Sequence, residues 1–129
     1  MAFPIHPVSV SEDPHMIQQL SVSELSALLD EQPEQLANWQ VIDVREPWEL
    51  ERASIKHPKF RHTHIPMATV PLRHQELDKA KNILVMCRTG GRSMQVANYL
   101  AQNGFPSIYN LQGGITAWSR EIDPSVPTY

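Results

Sequence analysis

Residues 82–93 read NILVMCRTGGRS, and the fold follows from how that stretch divides. Ile83 to Met86 form an unbroken apolar run, which suits a strand covered on both faces, as in a parallel sheet. Gly90 and Gly91 then break the pattern, and RSMQVANYLAQNG (92–104) takes up a helical period. In that helix Val96, Ala97, Leu100 and Ala101 share one face, and Gly104 is placed as a C′ residue able to take positive φ. The same alternation recurs on either side. Upstream, SVSELSALL (21–29) reads as a helix capped by Ser21 or Ser23, with Leu25, Leu28 and Leu29 as its apolar stripe and Pro33 limiting its extension. WQVIDVR (39–45) is a short β-branched run. Downstream, SIYNL (107–111) is another strand, and GITAWSREI (114–122) is a last helix with Ile115, Trp118 and Ile122 on one side. Strands alternating with helices predict an α/β domain built on a parallel sheet. Residues 1–19 carry three prolines and no sustained period, so they are expected to form an arm, laid across the body or partly disordered, ahead of one domain over 20–129.

Composition narrows the function classes. The chain has 129 residues, enough for one domain with a single core. A net charge of −3 makes nucleic acid a poor partner. At 41% hydrophobic residues and a mean hydropathy of −0.35, it holds no apolar run long enough to span a membrane, and its start lacks the basic and apolar regions of a secretory signal. A cytoplasmic or equivalent reducing location is expected. The single cysteine forbids an intrachain disulfide and any multi-cysteine zinc site.

That cysteine, Cys87, falls where the strand ends and the helix is about to begin, the edge at which open α/β sheets bind ligands. Gly90 and Gly91 permit a tight curl, which aims successive backbone N–H groups inward as an anion cradle. Those amides, the helix N-terminus and the charges of Arg88 and Arg92 all favour a thiolate. The alternative is an inert buried cysteine at a strand end. A packing role, though, does not explain the paired glycines and flanking arginines. Ser93 is read as the helix N-cap rather than as a catalytic group.

Other residues carry weaker signals. Asp43, Arg45 and Glu46 are read as bracing the loops at the sheet edge. His57, His62 and His64 show no helical ligand spacing, so no metal site is expected, and His64 is assigned a structural hydrogen bond. Trp48 and Trp118 are read as core or half-buried packing, with Trp48 also a candidate wall beside the cysteine. The segment ERASIKHPKFRHTHIPMATVP (51–71) is long for a connection, and such loops are usually functional or mobile. Its basic residues Arg52, Lys56, Lys59 and Arg61 suggest a border of the Cys87 mouth that favours an anionic donor or an acidic partner protein.

Taken together, four segments resemble the rhodanese, or thiosulfate sulfurtransferase, family. CRTGGRS (87–93) looks like its active-site loop, VIDVREPWE (41–49) like the segment after its first strand, HIPMA (64–68) like its GHIPGA element, and LQGGITAW (111–118) like its closing segment. The matches keep family order over roughly residues 20–120. Thr63 and Met67 stand where that element usually has glycines, and the link from Glu49 to His64 is longer than usual.

The resemblance implies a mainly parallel five-stranded sheet flanked by helices on both faces, and an enzyme without a cofactor. Cys87 would take the outer sulfur of thiosulfate, release sulfite and hold a persulfide; cyanide, a thiol or a sulfur-relay partner protein would then collect the sulfur. The substrate-binding residues would be Arg88, Thr89, Gly90, Gly91, Arg92 and Ser93. Four residues separate Cys87 from Arg92, one fewer than in the related cysteine phosphatases, so a phosphate substrate is not expected. The loop also lacks the pattern associated with mercaptopyruvate as donor. The second reading is a non-catalytic binding or regulatory module, or a persulfide carrier. Domains of that kind more often lose the cysteine or the curl.

Overall fold

The computed structural model describes residues 17–129. Five strands form one sheet: β1 (Gln18–Leu20), β2 (Trp39–Asp43), β3 (Thr63–His64), β4 (Asn82–Met86) and β5 (Ile108–Leu111). Their spatial order is β1-β5-β4-β2-β3, and every pairing is parallel. The expected parallel α/β sheet is therefore present, with the apolar run of β4 at its centre.

Among the described residues five helices accompany the strands: α1 (Val22–Glu31), α2 (Pro47–Arg52), α3 (Val70–Arg73), α4 (Gly91–Gln102) and α5 (Gly114–Glu121). Ser21, not Ser23, caps α1. Its Oγ accepts from the Glu24 amide at 3.0 Å, and its own amide donates to the Glu24 carboxylate at 2.8 Å. A 3-10 turn over Pro33–Asn38 then leads into β2.

Residue alternation along β4 sorts the core into two layers. Leu84 and Met86 face α1 and α5, in a cluster with Leu25, Leu28, Leu29, Ile115 and Trp118. Ile83, Val85 and Cys87 face the other layer, with Val96, Ala97 and Leu100 of α4 and Val70 of α3. Each fully buried leucine, isoleucine, valine or methionine among them contributes about 1.5–3 kcal/mol through removal from water. Helices therefore cover both faces, which is why β4 reads as continuously apolar.

Two expectations need correcting. Gln18 and Gln19, assigned to the arm, belong to β1, which pairs with β5 and ends the sheet; the rest of the arm, residues 1–16, lies outside the described residues. The long segment after α2, expected to border the Cys87 mouth, is instead packed in part against α1. Ala53, Ile55 and Phe60 are buried against α1. His57 Nδ1 accepts from the Lys59 amide at 3.0 Å, so Nε2 carries the proton and donates to Asp30 at 2.7 Å. Lys59 and Arg61 border an apolar cavity beside Trp39, the first residue of β2. Because β2 and β4 run in register, that cavity sits by the opposite end of the sheet from Cys87. Those two cations do not border the Cys87 mouth.

Candidate active site

Register prepares the site. Val85, Asn110 and Gln19 lie side by side across β4, β5 and β1. Two residues beyond Val85, Cys87 presents its side chain to the same face as Asn110. The Asn110 amide nitrogen donates to Gln19 Oε1 at 3.1 Å and reaches the Gly90 carbonyl at 3.5 Å, so two strands brace the loop from below.

The loop closes over the sulfur. The Gly90 amide donates to Cys87 Sγ at 3.1 Å and the Ser93 amide at 3.4 Å. The inward-facing amides read from the paired glycines are thus in place, and Gly90 makes the turn at φ +108°, a region that L side chains rarely adopt. Gly90 is also the N-cap of α4. That corrects the reading of Ser93 as the cap. Ser93 lies in the first turn, fully buried, where its Oγ receives the thiol hydrogen at 3.3 Å and donates to Asn110 Oδ1 at 2.5 Å. The cap had to be the residue that can turn back around the sulfur, and only a glycine can.

Helix α5 secures the loop from outside. The Ile115 amide donates to the Cys87 carbonyl at 3.1 Å and the Thr116 amide to the Arg88 carbonyl at 3.0 Å. Gly114, at φ +60°, permits this approach, because a Cβ there would collide with those two carbonyl groups.

Burial also differs from expectation. Cys87 is 1% exposed, recessed beneath its own loop instead of standing at an open mouth. The surface over it belongs to Arg88, Thr89 and Gly91, all exposed.

The two arginines have different fates. Arg92 donates from both terminal nitrogens to Glu49, at 2.7 and 2.8 Å. Glu49 is buried, and it also accepts from the Tyr129 hydroxyl at 2.9 Å and from the Glu46 amide at 2.9 Å. The Arg92 guanidinium, with burial opposing, lowers its carboxyl to about 2. The charge of Arg92 is therefore locally balanced. Arg88 makes no ion pair among the described residues; its guanidinium lies 4.7 Å from the centre of the Tyr129 ring. Arg45, fully buried, pairs with Asp43 at 2.8 Å and donates to the Tyr129 hydroxyl at 2.9 Å. That is the bracing role read for Asp43 and Arg45. His64 Nε2 reaches the Arg45 carbonyl at 2.6 Å, the structural bond expected of it.

Sequence reasoning missed Glu49, Asn110, Gly114 and Tyr129. Asn110 left one signal, a polar residue inside an otherwise apolar strand. The partner of Arg92, 43 residues away, left none. Trp118 is core, as read, but Trp48 is 56% exposed, edge-on to Tyr129 with ring centres 6.0 Å apart.

Beside the loop, Arg88, Thr89, Thr116, Arg120, Thr128 and Tyr129 surround an open cleft of about 510 Å³. A parallel α/β sheet with an amide-lined cysteine loop at the carboxyl end of its central strand defines a class of domain. Residues 21–121 match the rhodanese-like domain, and the chain belongs to that family. It is 39% identical to the rhodanese-like/PpiC domain-containing protein 12, chloroplastic, of Arabidopsis thaliana over 98% of its own length, but spans only 42% of that protein. It is 31% identical to the thiosulfate sulfurtransferase GlpE of Tolumonas auensis, over 85% of this chain and 94% of that one. Among solved structures, a rhodanese-related protein of Thermoplasma volcanium is 28% identical with a TM-score of 0.67, covering 87% of this chain and 99% of the other. Family and relatives support sulfur transfer as the general activity. Among the described residues no helix is long and apolar enough to cross a membrane.

Proposed function

We propose that the protein is a thiosulfate sulfurtransferase working through a persulfide on Cys87. The observation that carries this reading is the pair of amides, from Gly90 and Ser93, directed at Sγ. They stabilise negative charge on a sulfur that, among the described residues, has no histidine as a hydrogen-bond partner.

The Cys87 thiolate attacks the outer sulfur of thiosulfate. The sulfur–sulfur bond of the donor breaks, its electron pair leaves with sulfite, and a new bond joins Sγ to the transferred atom. Arg88 attracts the dianion and the loop amides hold the charged sulfurs. Arg92, balanced by Glu49, serves to hold the first turn of α4 in position. The Ser93 hydroxyl, between the thiol and Asn110, fixes the thiol's orientation. Thr89, Gly90 and Gly91 supply backbone for the cradle. An acceptor then removes the sulfur and restores the thiolate.

The test is intact-mass measurement after thiosulfate treatment. The wild-type protein gains the mass of one sulfur atom and loses it on adding cyanide. Cys87→Ser folds and gains nothing. A wild-type protein that charges only from another protein's persulfide is a relay carrier, and thiosulfate is then not its donor. A protein that takes sulfur from neither source is a binding module.

A further inference from the structure

The cleft beside the cysteine loop is not explained by thiosulfate or cyanide. Its volume of about 510 Å³ falls within the range that encloses organic ligands, roughly 300–1,000 Å³, and exceeds what a small inorganic anion needs. Its lining is specialised. Arg88 comes from the loop and Arg120 from the last turn of α5; both are exposed, and neither forms an ion pair among the described residues. Thr89, Thr116 and Thr128 add three hydroxyls, and among the described residues no acidic side chain lines the cleft. The Tyr129 ring lies against the Arg88 guanidinium and keeps it at the rim.

Two unbalanced guanidinium groups on a chain of net charge −3 mark a local preference for anions. The cleft shares Arg88 and Thr89 with the loop that holds Cys87, so a ligand anchored by Arg120 has its other end at the loop.

We propose that this cleft docks the sulfur acceptor, and that the acceptor is a small organic thiol carrying one or more carboxylates. The assignment rests on the persulfide reading of Cys87. Arg88 and Arg120 hold the carboxylates, and threonine hydroxyls donate to their remaining lone pairs. The acceptor thiolate attacks the outer sulfur of the protonated Cys87 persulfide. The bond between Sγ and that sulfur breaks, its electron pair stays on Sγ as thiolate, and the acceptor departs as a hydropersulfide. No oxidant or reductant is consumed. Cyanide, which has nothing for the arginines to hold, bypasses the cleft.

The experiment charges the protein with thiosulfate, removes excess donor, and times discharge to three acceptors: mercaptosuccinate with two carboxylates, 2-mercaptoethanol with none, and cyanide. Rates are compared at equal thiolate concentration. Mercaptosuccinate should discharge the wild-type protein about five-fold faster than 2-mercaptoethanol, and Arg120→Glu should erase that advantage with cyanide discharge unchanged. In parallel, succinate should shift the amide resonances of Thr116 and Arg120 in the uncharged wild-type protein but not in Arg120→Glu.

No preference for mercaptosuccinate, or a preference that survives in Arg120→Glu, overturns the acceptor site while leaving the Cys87 reaction standing. Succinate binding in a protein that never takes sulfur onto Cys87 overturns the persulfide reading, and the acceptor role with it.

Discussion

Glu49 and Arg92 meet through two parallel hydrogen bonds, 2.7 and 2.8 Å long, and so clamp α2 to the first turn of α4 immediately behind the cysteine loop. The clamp has a pH signature. Glu49 ionises at about 2 in the folded protein, against an ordinary 4.5, so between those values the unfolded chain binds more protons than the folded one. The stabilisation is complete above about pH 4.5 and is lost as pH falls through the folded value. Because Arg92 is one-third exposed, the contribution is about 2 kcal/mol, below full conversion of the shift. Urea midpoints from pH 6 to pH 3 should fall more steeply in the wild type than in Glu49→Gln, itself less stable at pH 6. Equal slopes would show that the pair contributes nothing to folding.

Removing the Ser93 hydroxyl should hurt twice. Ser93→Ala leaves the buried Asn110 oxygen without that donor and the thiol without its acceptor. A loss of about 1–2 kcal/mol is expected in thermal unfolding, together with about five-fold slower sulfur uptake from thiosulfate. Wild-type uptake in a destabilised variant would confine the hydroxyl to a packing role.

Gly114→Ala should be among the most damaging small changes outside the loop. The new methyl group meets the Cys87 and Arg88 carbonyls, and the backbone is held at φ +60°. About 2–4 kcal/mol of stability should go, with sulfur uptake falling alongside. A variant with wild-type melting and activity would mean that α5 can withdraw from the loop without consequence.

Lys59 and Arg61 of the basic segment should prove indifferent to the donor. Lys59 and Arg61 lie beside Trp39 at the far end of the sheet, so Lys59→Gln with Arg61→Gln should leave the thiosulfate KM within about two-fold. A several-fold rise in 20 mM salt, vanishing at higher salt, would instead show long-range steering by this loop.

What could be read in advance followed local rules. The apolar run 83–86 announced a strand covered on both sides, the 3.6-residue period announced α1 and α4, and Gly90 with Gly91 announced a tight curl. The partners of those features were illegible because they depend on register and distance. Nothing near Arg92 points to Glu49, and nothing near Arg88 points to Tyr129, 41 positions on by the numbering. Ser93 was misassigned for a local reason: it is a good capping residue, but the turn around the sulfur needs a positive φ, so Gly90 takes the cap and frees the hydroxyl for the thiol. Lys59 and Arg61 misled because charge alone does not say which end of a sheet a loop covers; Phe60 and Ile55, buried against α1, decide that.

The recess of Cys87 sets terms for its chemistry with the surroundings. A sulfur 1% exposed and roofed by its own backbone admits slender reagents and turns away bulky ones. Iodoacetamide, which must bring its carbon in line with Sγ, should then alkylate the resting protein slowly. The same enclosure that narrows the choice of donor thus works as chemical armour for a residue the chain has no spare copy of.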